Sequence, residues 1–330
     1  MSLTGYITGR DHQAIRTRLK TDFPKPSFPR PHPELKAPPR TKNYGLIGTA
    51  FDYLFRFHLE YHNKDTIVCR EEWIADRAYE GLAFRFGLYF RRRHVNQTSK
   101  KIFRESLEKF RLVRNQFIRA KGNYENFISD GILTDALLED CLFLAKLDVV
   151  FRAGLVAQLF DEHEADDLLD LRKLISVVTF EDFKAIKRCY VNPVFGKASE
   201  LVGGADCDLI LDDALIEIKV TRDFQLRREH FNQLIGYYIL SLIGGINTNS
   251  RARPIKRIGI YFARHGILWL VDLGEFGNRK KYSNLKAWFF EYVNRGRIDR
   301  AERMRLTLQR IRENRARRPG NVKSRVVRSI

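Results

Sequence analysis

The sequence predicts an α/β protein in which a long helical region precedes a shorter β-rich region. From Tyr44 to about residue 178, apolar residues recur every three to four positions, which is the period of amphipathic helices. After Asn192–Pro193 the period changes, and residues 197–221 are predicted to form strands. A helix at about 228–243 follows these strands, and two further short strands come after it.

The composition is that of a globular chain with a large excess of positive charge. Of the 330 residues, 44% are hydrophobic and 12% aromatic, which supplies a core and excludes a wholly disordered chain. This length predicts one elaborated domain or two. Lys and Arg number 59 against 40 Asp and Glu, a net charge of +19. Such an excess indicates a polyanionic partner, most often nucleic acid.

Cysteine spacing and hydropathy predict a soluble, cytoplasmic protein with no membrane partner. The first ten residues contain no apolar signal core, and no uncharged apolar run reaches the roughly 18 residues needed to span a bilayer. The four cysteines are too far apart in sequence for a zinc knuckle or a small disulfide framework, so reduced thiols are expected. They are Cys69, Cys141, Cys189 and Cys207.

Residues 1–43 are predicted to form a basic, proline-rich arm. Seven of the ten prolines lie within residues 24–39, and residues 10–42 hold nine Lys or Arg against three acidic residues. Because proline neither continues a helix nor donates to a β-ladder, the arm is expected to be extended. It is interpreted either as a strap along a phosphate backbone or as a linker or strap packed on its own domain.

The helical region is predicted to comprise the first helices of the core, 44–90, and a helical subdomain, 91–190. Residues 91–121 hold eleven Lys or Arg against two Glu, which suits either contact with a nucleic-acid backbone or a solvated face. Helices are predicted in this region at the segments 44–62, 70–90, 91–121, 131–152 and 166–178.

Residues 191–294 are predicted to carry two β-hairpins and the helices after each of them. The second hairpin pairs residues 257–263 with 267–273. A helix at about 281–294 leads into an Arg-rich tail, 295–330, which holds thirteen Lys or Arg and three acidic residues. The tail is expected to begin as a charged helix.

The first hairpin brings together the side chains with the clearest chemistry. If its turn spans the two residues Asp212–Asp213, Asp208 lies opposite Glu217, and Asp206 lies opposite Lys219. Because the side-chain period of a strand is two, all four polar groups then lie on one face. Two carboxylates this close repel unless a cation separates them, and Mg²⁺ is usually held by one or two carboxylates with phosphate and water. The alternative is an ordinary solvent-facing strand, and a one-residue slip in register would separate the set.

The run Asp208-x8-Glu217-Ile-Lys219 resembles the D-x(n)-E-x-K signature of the PD-(D/E)xK nuclease superfamily. Three further motifs are similar to those of its RecB-like exonuclease branch. Gly203-Gly204-Ala-Asp206 precedes the hairpin, and Gln233-x3-Tyr237 lies on the next helix. The third is Gly48-Thr49-x2-Asp52, which resembles G-T-x-x-H with aspartate in the place of histidine. The resemblance covers roughly residues 44–90 and 194–273.

This resemblance implies a restriction-endonuclease-like fold, a mixed β-sheet core flanked by helices, with a large helical insertion and basic terminal extensions. It implies that Asp208, Glu217 and the backbone carbonyl of Ile218 hold Mg²⁺ or Mn²⁺, with Asp52 as a further ligand, and that Lys219 stabilises developing negative charge. Asp206 is either a supporting acid or, if the turn is longer, the principal ligand. Gln233 and Tyr237 contact the DNA backbone or brace the metal site.

The sequence therefore predicts a Mg²⁺- or Mn²⁺-dependent deoxyribonuclease. The alternative is a non-catalytic nucleic-acid-binding or assembly subunit that retains the nuclease fold. The expected partner is nucleic acid, DNA in the leading interpretation, with a protein partner bound through residues 91–190 or 295–330 as a further possibility. The sequence leaves the choice between endonuclease and exonuclease open.

Overall fold

A six-stranded mixed β-sheet separates two apolar clusters, one on each of its faces. A computed structural model of the chain describes residues 2–29, 33–69, 72–90, 97–154, 156–161, 164–247 and 254–316. The strands lie side by side in chain order. They are β1 (Ile67–Cys69), β2 (Cys189–Val191), β3 (Leu209–Leu211), β4 (Ala214–Lys219), β5 (Arg257–Phe262) and β6 (Ile267–Asp272).

The pairing is parallel for β1 with β2 and for β4 with β5, and antiparallel for the other neighbours. Both predicted hairpins are present, as β3–β4 and β5–β6. The parallel neighbours β4 and β5 are joined by a crossover that contains a helix, as parallel strands require. The prediction of an α/β fold with a mixed sheet flanked by helices is thus confirmed.

Five helices pack on the first face of the sheet. Their apolar side chains, such as Phe51, Phe117 and Leu142, share one cluster with Leu209 and Ile216 of the sheet. The predicted helical subdomain therefore packs against the same core as the first helices. The five are α3 (Tyr44–His62), α4 (Ile74–Phe90), α5 (Gln97–Asp130), α6 (Asp135–Ala153) and α7 (Ala165–Ser176). Residues 91–96 of the basic stretch lie outside the described residues.

The second face carries the remaining helices, and two of them correct the prediction of an extended arm. Residues 13–22 were expected to be extended, but they form a helix, because the prolines begin only after Phe23 and buried Ile15 and Leu19 lie four residues apart. Another helix precedes it. The helices of this face are α1 (Leu3–Thr8), α2 (Gln13–Asp22), α8 (Lys197–Leu201), α9 (Arg228–Gly244) and α10 (Arg279–Ala316).

Other boundaries also differ from the sequence predictions. The predicted strand region from residue 197 begins with α8, and β1 and β2 were not predicted, since a three-residue strand shows too little alternation to be recognised. The predicted helix at 281–294 and the start of the charged tail form a single helix, α10, which continues to Ala316. Residues 317–330 of the tail lie outside the described residues. Among the described helices, none is both long and apolar enough to cross a membrane.

The proline-rich segment is held against the domain by a buried ion pair. Arg264, in the turn between β5 and β6, is 1% exposed and donates to both oxygens of the buried Asp170 on α7, at 2.7 and 3.0 Å. The same guanidinium donates to the carbonyl of Ala37 at 3.0 Å, and the Ala37 N–H donates to the carbonyl of Arg264. Of the two interpretations of the arm, packing on its own domain therefore describes the segment around Ala37.

Candidate functional site

The turn of the β3–β4 hairpin sets the geometry of the site. It spans the two residues Asp212–Asp213, and Asp212 takes a φ of 54°, a left-handed conformation that aspartate tolerates better than most residues. Leu211 pairs with Ala214, and Leu209 pairs with Ile216. This is the predicted register. Continuing it by one residue places Asp208 beside Glu217, close to the carboxyl end of β4.

The polar side chains of the hairpin are tied together by short hydrogen bonds. The backbone N–H of Ile218 donates to Asp208 Oδ2 at 2.6 Å, across the hairpin. Lys219 Nζ donates to Glu217 Oε2 at 2.7 Å. The other oxygen of Glu217, Oε1, is buried and has no hydrogen-bond partner among the described residues. One oxygen of Glu217 is therefore buried without a hydrogen bond.

Helix α9 adds two further side chains from above the hairpin. Gln233 and Tyr237 lie four residues apart, on one face of the helix. Lys219 Nζ donates to Gln233 Oε1 at 3.3 Å, and Gln233 Nε2 donates to the hydroxyl of Tyr237 at 2.9 Å. In this structure the Gln–Tyr motif thus extends the network that positions Lys219.

These side chains line a polar cleft of about 440 Å³. It also brings together residues from four distant parts of the chain: Asp52 on α3, Arg152 on α6, Asp206 before β3, and Ser2–Thr4 at the start of the chain. Every side chain that the sequence analysis proposed for the site lies at this cleft, and Ile218 also lines it. Asp206 is exposed and forms an isolated bridge with Val194, while the β3–β4 ladder ends at Leu209.

The carboxylates of the cleft are held in an environment that disfavours their charge. Burial, followed by repulsion from Glu217 and Asp52, raises the pKa of Asp208 well above its ordinary value. Burial also raises the pKa of Glu217, and the ion pair with Lys219 only partly opposes it. For Lys219, the attraction of Glu217 and Asp208 outweighs burial and raises its pKa, so the lysine stays protonated.

Asp52, which also lines the cleft, forms an ion pair with an arginine of the same helix. Arg56, one helical turn further along α3, forms an ion pair with it, with Arg56 Nε 3.2 Å from Asp52 Oδ1. Burial raises the pKa of Asp52 despite this partner. At the position of the histidine in G-T-x-x-H, this chain thus has an aspartate that is paired with an arginine. The i, i+4 spacing of Asp52 and Arg56 is a signal from which this pair could have been predicted.

Two contributions to the cleft were not predicted from the sequence. Arg152 projects from α6, and its Nε lies 3.7 Å from Asp148 Oδ2. Residues 2–4 enter because α1 packs on α9, where Gly236 leaves room for Leu3 and Ile7; a Cβ there would lie 3.1 Å from both. The sequence near Arg152 and near residues 2–4 contains no motif that would predict a site. Only the tertiary fold brings them close to the other residues of the cleft.

The residues of the cleft fit a hard divalent cation. Burial and repulsion from Glu217 and Asp52 disfavour the charged form of Asp208, and Glu217 Oε1 is buried without a hydrogen bond, so a cation would stabilise both carboxylates. Within the described ranges, no group of three or more His, Cys, Asp and Glu side chains forms a complete metal site. A pair of carboxylates completed by water and phosphate is nevertheless a common way of holding Mg²⁺.

Without a divalent ion, the contribution of Asp208 and Glu217 to stability is expected to fall as the pH rises. Their ordinary pKa values are 3.8 and 4.5, and both are raised in the folded state. Between these values and the raised ones, the two carboxyl groups bind more protons in the folded chain than in the unfolded chain, so their contribution falls with increasing pH. Added Mg²⁺ should reverse the loss, by about 2.7 kcal/mol at a hundredfold excess over Kd.

The check is the thermal midpoint measured from pH 4 to 8, in EDTA and in Mg²⁺, for the native chain and for Asp208→Asn combined with Glu217→Gln. The double variant should show a flatter pH dependence in EDTA and no response to Mg²⁺. Equal slopes for the two proteins would contradict the raised pKa values of Asp208 and Glu217.

Gln233→Ala is expected to reduce any activity of the cleft moderately and to leave the fold intact. The Gln233 amide is hydrogen-bonded to Lys219 and Tyr237 but not to Asp208 or Glu217. Its loss therefore leaves Lys219 in place but less firmly positioned. Residues that orient a catalytic group typically contribute roughly 10- to 100-fold. Gln116→Ala, at an exposed position on α5, is the control, and unfolding of the Gln233 variant would show that the motif is structural.

Comparisons of the chain with protein-family models, with curated proteins and with solved structures each find no match. The assignment of a function therefore rests on the geometry and electrostatics of this cleft.

Proposed function

We propose that this chain is a metal-dependent nuclease of the PD-(D/E)xK type, which hydrolyses phosphodiester bonds of DNA. The observation that carries the proposal is the pair of the half-buried Asp208 and the buried Glu217, which has one oxygen without a hydrogen bond, beside the protonated Lys219 in a polar cleft. Carboxylates at a metal and a lysine at the reacting phosphate are the groups that this hydrolysis requires.

The order of elements around the cleft supports a restriction-endonuclease-like core as part of this proposal. Helix α3 carries Asp52, the β3–β4 hairpin carries the acids and the lysine, and α9 carries Gln233. The hairpin β5–β6 then completes the sheet beside β4. Motifs that lie far apart in the sequence thus converge on one cleft, which an accidental match to a short pattern does not explain.

Mg²⁺ or Mn²⁺ would be held by Asp208, Glu217 and the main-chain carbonyl of Ile218. When bound, such an ion polarises the phosphate and lowers the pKa of water. Lys219 supplies a fixed positive charge for the negative charge that develops on the phosphate, and Glu217 and Gln233 hold its ammonium group in place. Arg152, at the edge of the cleft, is available to a phosphate of the substrate because its side chain is largely exposed.

Nucleic acid as the substrate is supported by the charge of the chain. The net charge of +19 favours a polyanion, and phosphate contacts provide most of the sequence-independent affinity for DNA. Helix α10 carries several of these charges, including the exposed Arg295 and Arg305, and extends them along one rod. DNA is preferred over membrane as the partner because the Arg-rich tail lacks the Trp and Phe anchors of interfacial helices.

The test is cleavage of linear and circular DNA, and of RNA of the same sequence, with Mg²⁺, Mn²⁺ or EDTA. Cleavage of DNA that requires the ion is the expected result. Cutting of the circle would identify an endonuclease, whereas degradation of the linear form alone would identify an exonuclease. Binding of DNA without cleavage under every condition would overturn the proposal in favour of a non-catalytic subunit.

A further inference from the structure

A second cavity, of about 680 Å³, adjoins the catalytic cleft. The two share Val220, the residue directly after Lys219. One wall is made by Pro38 and Pro39 of the proline-rich segment and by Tyr44 at the start of α3. Another part of its lining is the loop that continues from β4. Its volume lies within the range of pockets that hold small organic ligands, about 300–1,000 Å³.

The first wall presents an aromatic ring that the core does not use. Tyr44 is 59% exposed although it belongs to the helix that carries the buried Phe51. Its surroundings are fixed, because the neighbouring Asn43 donates to both oxygens of Asp167, at 3.1 Å each, and Ala37 is bound to Arg264. The ring is therefore a flat apolar surface on a rigid support, next to two prolines.

The loop after β4 supplies positive charge to the cavity. Arg222 is exposed and forms no ion pair with any residue in the part of the chain that the structure describes. Its neighbours at the cavity are already neutralised, since Arg227 pairs with Asp223 at 2.8 Å and Arg264 pairs with Asp170. The cavity is thus lined by an available cation, Arg222, and by an exposed aromatic ring, Tyr44.

The position of the cation ties the cavity to the reaction site. Arg222 follows Lys219 by three residues, so the two Cα atoms lie within about 11 Å of each other, the span of three extended residues. A strand whose phosphate lies at Lys219 would place an adjacent nucleotide in this cavity. An aromatic ring stacks on any base, and a guanidinium binds its phosphate, which is how single strands are held without regard to sequence.

We propose that this cavity binds an unpaired nucleotide next to the scissile phosphate, so that the nuclease acts on single-stranded DNA or on unpaired ends of a duplex. The inference rests on the proposed function. A base within a duplex cannot present its face to Tyr44, because both of its faces are covered by neighbouring base pairs. The cavity therefore selects for strand state and not for sequence.

The experiment measures binding of a fluorescein-labelled 12-nucleotide strand and of its duplex by anisotropy, with Ca²⁺ in place of Mg²⁺ to suppress cleavage. Tyr44→Ala should weaken binding of the single strand roughly tenfold, as expected for the loss of one stacked base, and change duplex binding little. Tyr44→Phe should retain the native affinity, because the ring and not the hydroxyl carries the contact. Phe290→Ala, which removes another exposed aromatic ring, is the control and should change neither.

Arg222→Ala provides a second, independent test. It should weaken single-strand binding and reduce the slope of log affinity against log salt by about one, because one phosphate contact is lost. Lys187→Ala is the matched control, since this exposed lysine lies beside the turn at the far end of the hairpin. The inference is overturned if Tyr44→Ala and Arg222→Ala both bind the single strand as the native chain does, or if they weaken single strand and duplex equally. A clear preference for the RNA strand would overturn the choice of DNA.

Because binding is measured without cleavage, the two proposals can fail separately. If DNA is cleaved but the Tyr44 and Arg222 variants bind the single strand as the native chain does, the nuclease proposal stands and the nucleotide site is rejected. If DNA is not cleaved but single strands are preferred and the preference depends on Tyr44, the nuclease proposal is rejected and the protein is a single-strand-binding protein.

Discussion

Replacing Glu217 with glutamine is expected to reduce cleavage at least 10³-fold, a loss of about 4 kcal/mol of transition-state stabilisation. The change keeps the size of the side chain but removes one of the two charges proposed to hold the metal. Burial disfavours the charge of Glu217, whereas the ion pair with Lys219 favours it, so the two effects of the change on the stability of the metal-free protein oppose each other. A large loss of activity is therefore expected with a small change in stability.

The measurement is single-turnover cleavage at saturating Mg²⁺ beside the thermal midpoint in EDTA. Asp208→Asn should behave in the same way, and Glu108→Gln, at an exposed position on α5, should affect neither quantity. A folded Glu217→Gln variant with native cleavage would show that the carboxylates are not the catalytic site.

Arg264→Ala is expected to destabilise the protein by about 3–5 kcal/mol, because it leaves Asp170 charged and unpaired in the interior. It also removes a hydrogen bond to the carbonyl of Ala37 and so releases the proline-rich segment. The comparison is Arg257→Ala, whose ion pair with Asp213 is partly exposed and contributes less than about 1 kcal/mol.

Chemical denaturation of the three proteins, with Arg264→Met combined with Asp170→Leu as a fourth, measures the effect. The double variant should recover most of the stability, since both charges are removed together. Similar losses for Arg264→Ala and Arg257→Ala would show that the buried pair does not anchor the segment.

The hairpin could be predicted because its information is local. Asp212–Asp213 is a turn between two alternating strands, and the register of a hairpin follows from the length of its turn. That register places Asp208 beside Glu217. Likewise, the four-residue spacing of Gln233 and Tyr237 put them on one face of α9. The local sequence was sufficient to predict these positions because the side-chain period of each element and the residues of the turn indicate the same structure.

The parts that could not be predicted depend on distant contacts. Nothing near Arg152 indicates that α6 ends at the cleft, and nothing in residues 2–4 indicates that α1 packs on α9. The arm was expected to be extended because proline dominates its composition, yet its first half is helical through apolar contacts with the sheet face. The anchoring of Ala37 requires Asp170 and Arg264, which are separated by 94 residues.

Calorimetric titration with Mg²⁺ and Mn²⁺ tests most directly whether Asp208 and Glu217 form a divalent-metal site. The native chain should bind the ion at the cleft and release protons at a pH near the raised pKa values, since binding requires both carboxylates to be ionised. Glu217→Gln should lose most of this heat. Equal binding by the native chain and the Glu217→Gln variant, or none by the native chain with DNA present, would contradict the account.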